Sequence, residues 1–523
     1  MAQRESSAAG SGSRTAAALI VVLIAAAAWF RVWHLGTMPG VSGDEGWWGV
    51  NAIAWLDGRP YEARTTSGNP TDLFLLAPLA AVHAFGPPSF WLLRIVPAAV
   101  NVLALPIGFF FVRRIFGTTT AAIYAVALAV APTAIAHSRI CQDPSQSIFW
   151  TGLVVYLSLL ALARPASAVA WLAGALLLFP IALWTHPTNV FIAPFLIAPA
   201  IAVAARLLPA SRRARAIVFI AAAMAIAVAA GAAWPILLKL EASNDFAGRP
   251  WLALAAARLI DPRQWLEFGV NYARLFSGVT VYHYFSGARP WTIPYDLASV
   301  GAGVAVFAGL WRLRRSASLP LEYALLGAWA CMLLLFFAFA GPAALRPHAE
   351  RWGLCLIVPG SLVIARGIAG WIETAPALRR VTSTAAVALA SVTLLSFYVN
   401  YFREFAATGG RSHLAYRTAP IEPKQQALDR IIATRDATSR TTVVAQEWWT
   451  YWPIAYLSSR DGRVSVNRTF DSSAAYVVEF TGTPELAAAL DWVQARGLQA
   501  RPTEIRDAGG GELLTVLEIG PAR

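Results

Sequence analysis

The stretch Gly43-Asp44-Glu45-Gly46-Trp47-Trp48 follows the first long apolar run of the chain, residues 16–33. Two adjacent carboxylates beside a membrane-length apolar run are costly to dehydrate unless they bind something. The tryptophan pair is typical of a membrane–water boundary. The stretch therefore predicts that Asp44 does chemistry at a membrane edge. The alternative is that Asp44 and Glu45 only mark an extracytoplasmic loop.

The composition is that of a polytopic membrane protein. Only 14% of the 523 residues are charged and the mean hydropathy is +0.54, whereas soluble chains average about 25% charged residues. The net charge of +13 comes from arginines clustered between apolar runs, which favours topology signals and membrane lipids over nucleic acid as a partner. Three cysteines fit neither a disulfide framework nor a zinc site.

Eleven apolar runs approach the length of about 20 residues that a bilayer crossing requires. The predicted spans are residues 16–33, 89–112, 118–136, 147–163, 167–185, 188–205, 216–238, 296–311, 320–342, 352–372 and 381–402. Basic clusters fall in alternate loops, at residues 113–114, 164, 206–215, 312–315 and 379–380. By the positive-inside rule, the N-terminus is then cytoplasmic and the C-terminus lies outside.

The same reading divides the chain into three parts. Residues 1–15 are expected to be a disordered cytoplasmic N-terminus, and residues 16–402 a membrane domain whose first run is a retained anchor. Charges return from about residue 403, which predicts an extracytoplasmic α/β domain over residues 403–523, called the tail domain below. The predicted helices of this domain are residues 422–436 and 484–496. Its predicted strands are residues 441–446, 474–480 and 513–519.

Two outside loops carry candidate site residues. The first, residues 35–89, contains short apolar segments at 47–56 and 73–85 that predict interfacial helices. In the second, residues 136–147, Asp143 precedes a proline, as a helix cap does, or is a second acid beside Asp44. Arg139, one turn earlier, would neutralise Asp143 or hold a phosphate.

Further candidates lie at other outside ends of the spans. Arg94 runs against the positive-inside trend. His348 and Arg351 could clamp a lipid phosphate, or anchor the chain at the interface. His186 is a candidate substrate-binding residue. The alternatives are that it is satisfied locally or that it is a metal ligand, which would need Asp44, Glu45 or Asp143 as further ligands.

The metal and the role of the tail aromatics stay open. A divalent cation remains an option, and no Walker, Rossmann, HExxH or GxSxG motif predicts a nucleotide or other cofactor. In the tail domain, the stretch Glu447-Trp448-Trp449-Thr450-Tyr451-Trp452 could stack on a sugar, but anchoring or core packing is favoured.

Together these residues resemble the GT-C superfamily of membrane glycosyltransferases, in particular bacterial relatives of protein O-mannosyltransferases and of lipid A aminoarabinose transferases. The resemblance covers about the first 400 residues. Its motifs are Asp44-Glu45, Arg94 opening the second span, Ser138-Arg139 followed by Asp143, and Arg351-Trp352 entering a late span. The segment Gly68-Asn69-Pro70-Thr71-Asp72 departs from the family, where many relatives have a Pro-Pro pair preceded by His or Glu-Lys.

The resemblance implies an inverting glycosyltransferase, a hexosyl- or pentosyltransferase with a polyprenyl-phosphate sugar donor. It would act on a lipid, glycan or protein acceptor at the outer face of the cell inner (plasma) membrane. In this chemistry Asp44 is the general base, Asp143 orients the sugar or Asp44, and Glu45 either helps or only keeps Asp44 hydrated. The phosphate leaving group needs positive charge, for which Arg94, Arg139 and Arg351 are candidates.

Two other functions stay open. A transporter or flippase of lipid-linked sugars would use the same outside cavity. It also predicts charged residues buried mid-span and inverted repeats, and neither is evident in the apolar runs. The third function is a structural subunit of an envelope complex, with the tail domain as its binding module.

Overall fold

The computed structural model describes residues 18, 20–65, 68–207, 251–313, 319–436 and 438–521. The predicted span 216–238 and the predicted N-terminal segment 1–15 lie outside the described residues, as does most of the basic cluster at 206–215. Helices make up 72% of the structure, and a small sheet domain follows at the C-terminus.

Eight helical segments of the described chain are long and apolar enough to cross a membrane, which makes it a polytopic helical protein. They are Phe90–Phe116, Asp143–Ala163, Pro165–Thr185, Pro187–Ala205, Thr292–Leu313, Leu321–Phe339, Glu350–Thr374 and Pro376–Thr408. Each coincides with a predicted span. A ninth results if Thr118–Val130 and Pro132–Ser138, which meet at a bend of 58°, are counted as one. The predicted number of eleven is not confirmed.

The bend between Thr118–Val130 and Pro132–Ser138 has a simple cause in the sequence. Pro132 has no backbone N–H to continue a helix, and it disfavours helical geometry at Ala131, whose ψ is 113°. Residues Ile20–Val32 form a helix of 13 residues within the predicted span 16–33, whose first residues lie partly outside the described chain.

The remaining helices are shorter and connect or cover the spans. Those before the tail domain are Gly43–Leu56, Leu73–His83, Trp251–Ile260, Pro262–Ser277, Val279–Val281, the π-helical turn Tyr282–Ser286 and the 3-10 turn Pro342–Leu345, and the 3-10 turn Leu414–Tyr416 follows the last span. Leu73–His83 and Gly43–Leu56 match the predicted short segments, and the second begins four residues earlier than expected.

Gly43–Leu56 is called the site helix because it carries Asp44. It begins with a capping box, in which Ser42 Oγ accepts from the backbone N of Glu45 and the Glu45 side chain accepts from the backbone N of Ser42. Such a box satisfies two otherwise unpaired amide groups and fixes where the helix begins. Asp44 therefore lies in the first turn, where the helix dipole favours a carboxylate.

The tail domain is built on a five-stranded sheet with the order β2-β1-β3-β5-β4. The strands are β1 Thr441–Val444, β2 Val464–Asn467, β3 Ala474–Phe480, β4 Leu498–Arg506 and β5 Glu512–Pro521. β1 runs parallel to β2 and β3, and β5 runs antiparallel to β3 and β4. Three helices complete the domain: Pro423–Thr434, Trp448–Ser458 and Pro484–Ala495. The three predicted strands and two predicted helices are confirmed, whereas β2, β4 and the helix at Trp448 were not predicted.

The helix Trp448–Ser458, called the docking helix, packs directly on the site helix. The contact is close because Gly43, Gly46 and Gly49 lie one turn apart on the facing side. A Cβ at Gly46 would come within 2.4 Å of the backbone of Trp452, which no packing tolerates without displacement. Buried side chains of the first outside loop and of the tail domain form one continuous apolar core.

Candidate active site

Two carboxylates from separate outside loops are each held by a tryptophan. Asp44 Oδ1 accepts a hydrogen bond of 3.0 Å from Nε1 of Trp448, on the docking helix. Asp143 Oδ1 accepts one of 3.2 Å from Nε1 of Trp48, on the site helix. Both acids remain partly exposed. Asp143 does not cap a helix through its side chain, because Gln142 is the cap residue of the turn that Asp143 begins. The capping interpretation is therefore wrong.

The two acids and Arg351 form one electrostatic cluster. Asp143 interacts with both Asp44 and Arg351, and Arg351 in turn with both acids. Burial raises the pKa of Asp44 above its ordinary value, and Glu45 adds to the rise, while Arg351 and the Trp448 hydrogen bond oppose it. A carboxyl with a raised pKa is a stronger base, which suits proton abstraction near neutral pH.

The guanidinium of Arg351 is available to bind a ligand. It is the second residue of the 3-10 helix Glu350–Leu356 and is half-buried. Within the described ranges its guanidinium makes no hydrogen bond and has no carboxylate at ion-pair distance. Beside it lie Tyr284 and Tyr416, whose hydroxyl oxygens are 2.6 Å apart. A partly exposed, unpaired guanidinium next to two hydroxyls is suited to binding an oxyanion.

Glu45 and Arg94 have a different position from the expected one. Their side chains are completely buried, and Arg94 Nε and Nη2 donate to the two oxygens of Glu45 at 2.7 Å each. Arg94 also donates to the carbonyls of Leu35 and Pro39, and Glu45 accepts from the backbone N of Cys141 at 3.0 Å. The pair thus ties the two outside loops to the second predicted span. With no exposed surface, neither residue can reach a substrate.

Arg139 is also inside the protein rather than facing a cavity. It donates from Nη2 to the carbonyl of Met38 at 2.8 Å and from Nη1 to the carbonyl of Phe30. Its guanidinium lies 4.7 Å from the ring centre of Phe402 and 5.7 Å from that of Tyr401. Arg139 therefore joins the first helix to the end of the last span, and the expected phosphate contact would require it to leave this environment.

The two candidate histidines have different surroundings. His186 is buried, its Nδ1 lies 2.7 Å from Thr188 Oγ1, and burial with help from Arg351 lowers its pKa to about 3. It is neutral at physiological pH, and its contact with Thr188 agrees with local satisfaction. His348 is exposed, with a φ of 79°, and its ring packs edge-on against Tyr284 at the rim of the cluster.

The described residues do not assign a metal site. In the described part of the chain, no group of three or more His, Cys, Asp or Glu side chains is placed to hold one. The positively charged group that faces Asp44 and Asp143 is the guanidinium of Arg351.

Several residues near the candidate site were not predicted to belong to it. Asp72 caps Leu73–His83, with Oδ1 accepting from the Phe74 backbone N, and burial raises its pKa to about 7 while Asp143 adds to the rise. His137 Nε2 lies 3.5 Å from Glu350 Oε1 in a fully buried pair. Asp72 interacts with the candidate Asp143, and Glu350 directly precedes the candidate Arg351.

Two predicted spans contain buried charged residues, contrary to the expectation that the apolar runs hold none. Arg366 and Glu322 lie inside predicted spans and form a buried salt bridge of 2.6 Å, and Arg366 also donates to Thr120. Each is a single charged residue in an otherwise apolar run, so the sequence gives no pattern that indicates the pair. Arg366 is fifteen residues after Arg351, roughly 20 Å along a helix, so the salt bridge is separate from the acid cluster.

Comparisons with known proteins identify the fold. No protein-family model matches the sequence, and no curated protein matches it. Among solved structures, the chain is similar to ArnT from Cupriavidus metallidurans bound to undecaprenyl phosphate, with a TM-score of 0.54 and 13% identity over 95% of this chain and 97% of that one. It is also similar to the Archaeoglobus fulgidus oligosaccharyltransferase, with a TM-score of 0.50 and 14% identity over 89% and 69% of the two chains.

Both similar proteins are membrane glycosyltransferases of the GT-C superfamily. The likeness to ArnT extends over nearly the full length of both chains, including the tail domain. At these identities it establishes the fold. The chain therefore has the GT-C fold.

Proposed function

We propose that this protein is an inverting glycosyltransferase. It moves a sugar from a polyprenyl-phosphate donor to an acceptor hydroxyl at the outer face of the inner membrane. One observation carries the proposal: Arg351, unpaired within the described residues, faces the partly exposed carboxylates Asp44 and Asp143. The GT-C fold supports it, as does the undecaprenyl phosphate held by ArnT. A lipid, a glycan or a protein could supply the hydroxyl.

In the proposed reaction, Asp44 takes the proton of the acceptor hydroxyl. The hydroxyl oxygen then forms a bond to the anomeric carbon while the bond from that carbon to the phosphate oxygen breaks. A single displacement of this kind inverts the anomeric centre and needs no covalent sugar–enzyme intermediate. The polyprenyl phosphate leaves as an anion and needs little protonation, so one carboxylate base is sufficient.

Arg351 is the residue proposed to stabilise the departing phosphate. Negative charge grows on the phosphate oxygens in the transition state, and a fixed guanidinium in a half-buried place stabilises that charge without having to reorganise. The Tyr284 and Tyr416 hydroxyls beside it could donate further hydrogen bonds. His348, at the rim, is proposed to contact the donor or the lipid head group.

Asp143 is proposed to orient the sugar or Asp44, since Trp48 fixes its carboxylate. Glu45, Arg94 and Arg139 are now proposed to act indirectly. They hold the loops that carry Asp44 and Asp143, and their burial leaves them no contact with a substrate. His186, neutral and bonded to Thr188, is proposed to shape the cavity wall.

The domain arrangement is part of the same proposal. We propose a membrane domain at residues 16–402 and an extracytoplasmic tail domain at 403–523. The Trp448–Asp44 hydrogen bond requires the tail domain and Asp44 to be on one side of the membrane. The positive-inside pattern assigns that side to the outside.

A transporter or flippase remains the second candidate because of the buried Arg366–Glu322 pair. Intramembrane charges often mark a transport pathway. Arg366, however, is bonded to Glu322 twice and to Thr120 once. A guanidinium with that many protein partners serves to join helices, so we rank transport second.

The experiment is a transfer assay on the purified full-length protein in lipid nanodiscs, with a panel of synthetic polyprenyl-phosphate sugars and mixed acceptors. We expect release of polyprenyl phosphate with at least one donor, and none with the Asp44→Asn variant. A deletion strain should accumulate the matching polyprenyl-phosphate sugar, detected by mass spectrometry of envelope lipids. Movement of the labelled donor across the bilayer without cleavage would instead establish the transporter.

A further inference from the structure

We infer that Trp448 is a positioning residue of the proposed active site, so that the tail domain completes the site rather than only anchoring the chain. The inference rests on the proposed function, in which Asp44 is the base. Its structural basis is the hydrogen bond of 3.0 Å from Trp448 Nε1 to Asp44 Oδ1. Because the bond occupies one oxygen of the carboxylate, the other is left for the acceptor hydroxyl.

The contact is built into both helices. Trp448 is the first residue of the docking helix, and the side chain of Glu447 caps that helix by accepting from the backbone N of Trp449. On the site helix, a Cβ at Gly43 would lie 2.4 Å from the Trp448 side chain. Only glycine at position 43 lets the indole lie flat enough against the helix to reach the next residue, Asp44.

A second set of bonds fixes the docking helix further along. The Tyr456 hydroxyl donates to the carbonyl of Ser89 at 2.9 Å and lies 2.6 Å from His83 Nε2. Arg460 donates to the carbonyls of His83 and Gly86. The docking helix is therefore attached to the first outside loop at both ends, which holds the indole in register with Asp44.

The indole N–H favours the ionised form of Asp44, because a donor stabilises a carboxylate. Of the other groups that interact with Asp44, Arg351 acts in the same direction, and Glu45 and Asp143 oppose it. Tyr284 and Tyr416 also interact with it as buried hydroxyls. Removing the Trp448 hydrogen bond should therefore raise the pKa of Asp44 and leave less of the base ionised at a given pH.

The test compares Trp448→Phe with Trp449→Phe in the full-length protein. Both changes keep an aromatic ring and remove an indole N–H, but the Trp449 ring packs on His413 and has no bond to Asp44. Labelling of Asp44 by dicyclohexylcarbodiimide, which reacts with protonated carboxyl groups, is followed by mass spectrometry across pH. We expect the labelling midpoint to rise by about half to one pH unit in Trp448→Phe and to stay at the wild-type value in Trp449→Phe.

Turnover provides the second measurement. The acid limb of the kcat profile should move by the same amount as the labelling midpoint, and kcat at neutral pH should fall about tenfold. Gly46→Ala, which displaces the docking helix while keeping Trp448 and Asp44, should shift the midpoint in the same direction. This variant decides the matter if Trp448→Phe proves unstable in thermal unfolding.

The labelling readout separates two failures. If the wild type transfers no sugar while the midpoint shift is seen, the proposed function fails and the Trp448–Asp44 coupling stands. If the wild type is active and Trp448→Phe matches Trp449→Phe in both midpoint and kcat, the inference is overturned and the tail domain has no part in the chemistry.

Discussion

Trp48, which holds Asp143 through a hydrogen bond of 3.2 Å, lies four residues after Asp44 on the same helix. Residues four apart on a helix are neighbours on one face. The site helix thus carries one carboxylate and fixes the position of the other, which comes from the second outside loop. This geometry gives the two acids separate supports, so they can be tested separately.

The first prediction concerns Asp44. Asp44→Asn keeps the size of the side chain and an oxygen that can accept from Trp448, so folding and insertion should be unchanged. It removes the group that takes the acceptor proton, and general-base loss typically lowers the rate about 10² to 10⁴-fold. Steady-state turnover of the purified variant measures this, with thermal unfolding as the folding control.

Asp143→Asn should fall between wild type and Asp44→Asn in turnover, because it loses an orienting group and not the base. The prediction to be tested is therefore the order of turnover: wild type highest, Asp143→Asn lower and Asp44→Asn lowest. If Asp44→Asn keeps near-normal turnover while Asp143→Asn loses it, the roles of the two acids are exchanged.

The second prediction concerns Arg351. Arg351→Ala should raise the barrier of transfer by about 2–4 kcal/mol, the size typical of a lost transition-state donor. The matched control is Arg346→Ala, five residues earlier, where an exposed guanidinium pairs with Glu267 at 2.6 Å. Kinetics with a synthetic donor should show a loss for position 351 only, and equal kinetics for both variants would remove Arg351 from the site.

The sequence was sufficient to predict the site candidates that lie at the ends of spans. Asp44, Asp143 and Arg351 could be found because charges are rare in this chain and the loop pattern assigned all three to one side. It was not sufficient for Glu45 and Arg94. An outside charge can face water or a buried partner, and their pairing joins residues 49 positions apart. Only packing distinguishes these two cases.

The same limit applies to the tail domain. β3 and β5 are apolar runs and were predicted, but β4 is an edge strand that includes Arg501, Pro502 and Glu504 and is largely exposed. Its register is set by pairing with β5 rather than by its own apolar pattern. The glycines at 43, 46 and 49 indicate a close neighbour on one face of the site helix, but nothing in them names the docking helix.

The third prediction concerns the buried pair Glu45–Arg94. Glu45→Gln removes a fully buried partner of Arg94, and breaking such a pair typically costs about 3–5 kcal/mol. The free energy of unfolding should fall by that order, and turnover should fall with it. Asp57→Asn is the control, since the Asp57–Arg59 pair at the end of the site helix is exposed and such pairs contribute at most about 1 kcal/mol. Normal stability of Glu45→Gln would contradict the supporting role.

The fourth prediction is a pH dependence of tail-domain stability. Burial raises the pKa of Glu479 from 4.5 to about 7, although the backbone N–H groups of Gln446 and Glu447 lower it. Between these two values the folded domain holds a proton that the unfolded chain releases. Stability should therefore fall as the pH rises from about 4.5 to 7.

Glu479→Gln removes the titrating group and should flatten this dependence while keeping the contact to the Thr450 hydroxyl. The measurement is thermal unfolding, followed through tryptophan fluorescence, at several pH values in that range. A wild-type curve that is already flat would show that Glu479 titrates normally, and the burial argument would then be wrong for this residue.

The last prediction concerns orientation in the membrane. The Trp448–Asp44 bond puts the tail domain beside the acid cluster, and the arginine pattern puts both outside. Single cysteines introduced at exposed positions 462 and 496 of the tail domain should react with a membrane-impermeant maleimide in intact cells, after the three native cysteines are replaced. A cysteine at position 113, near the other end of the span Phe90–Phe116 that contains Arg94, should react only after permeabilisation. If the tail positions are protected and position 113 is labelled, the cluster faces the cytoplasm. The outer-face donor and acceptor would then both have to be abandoned, whatever the turnover of the variants.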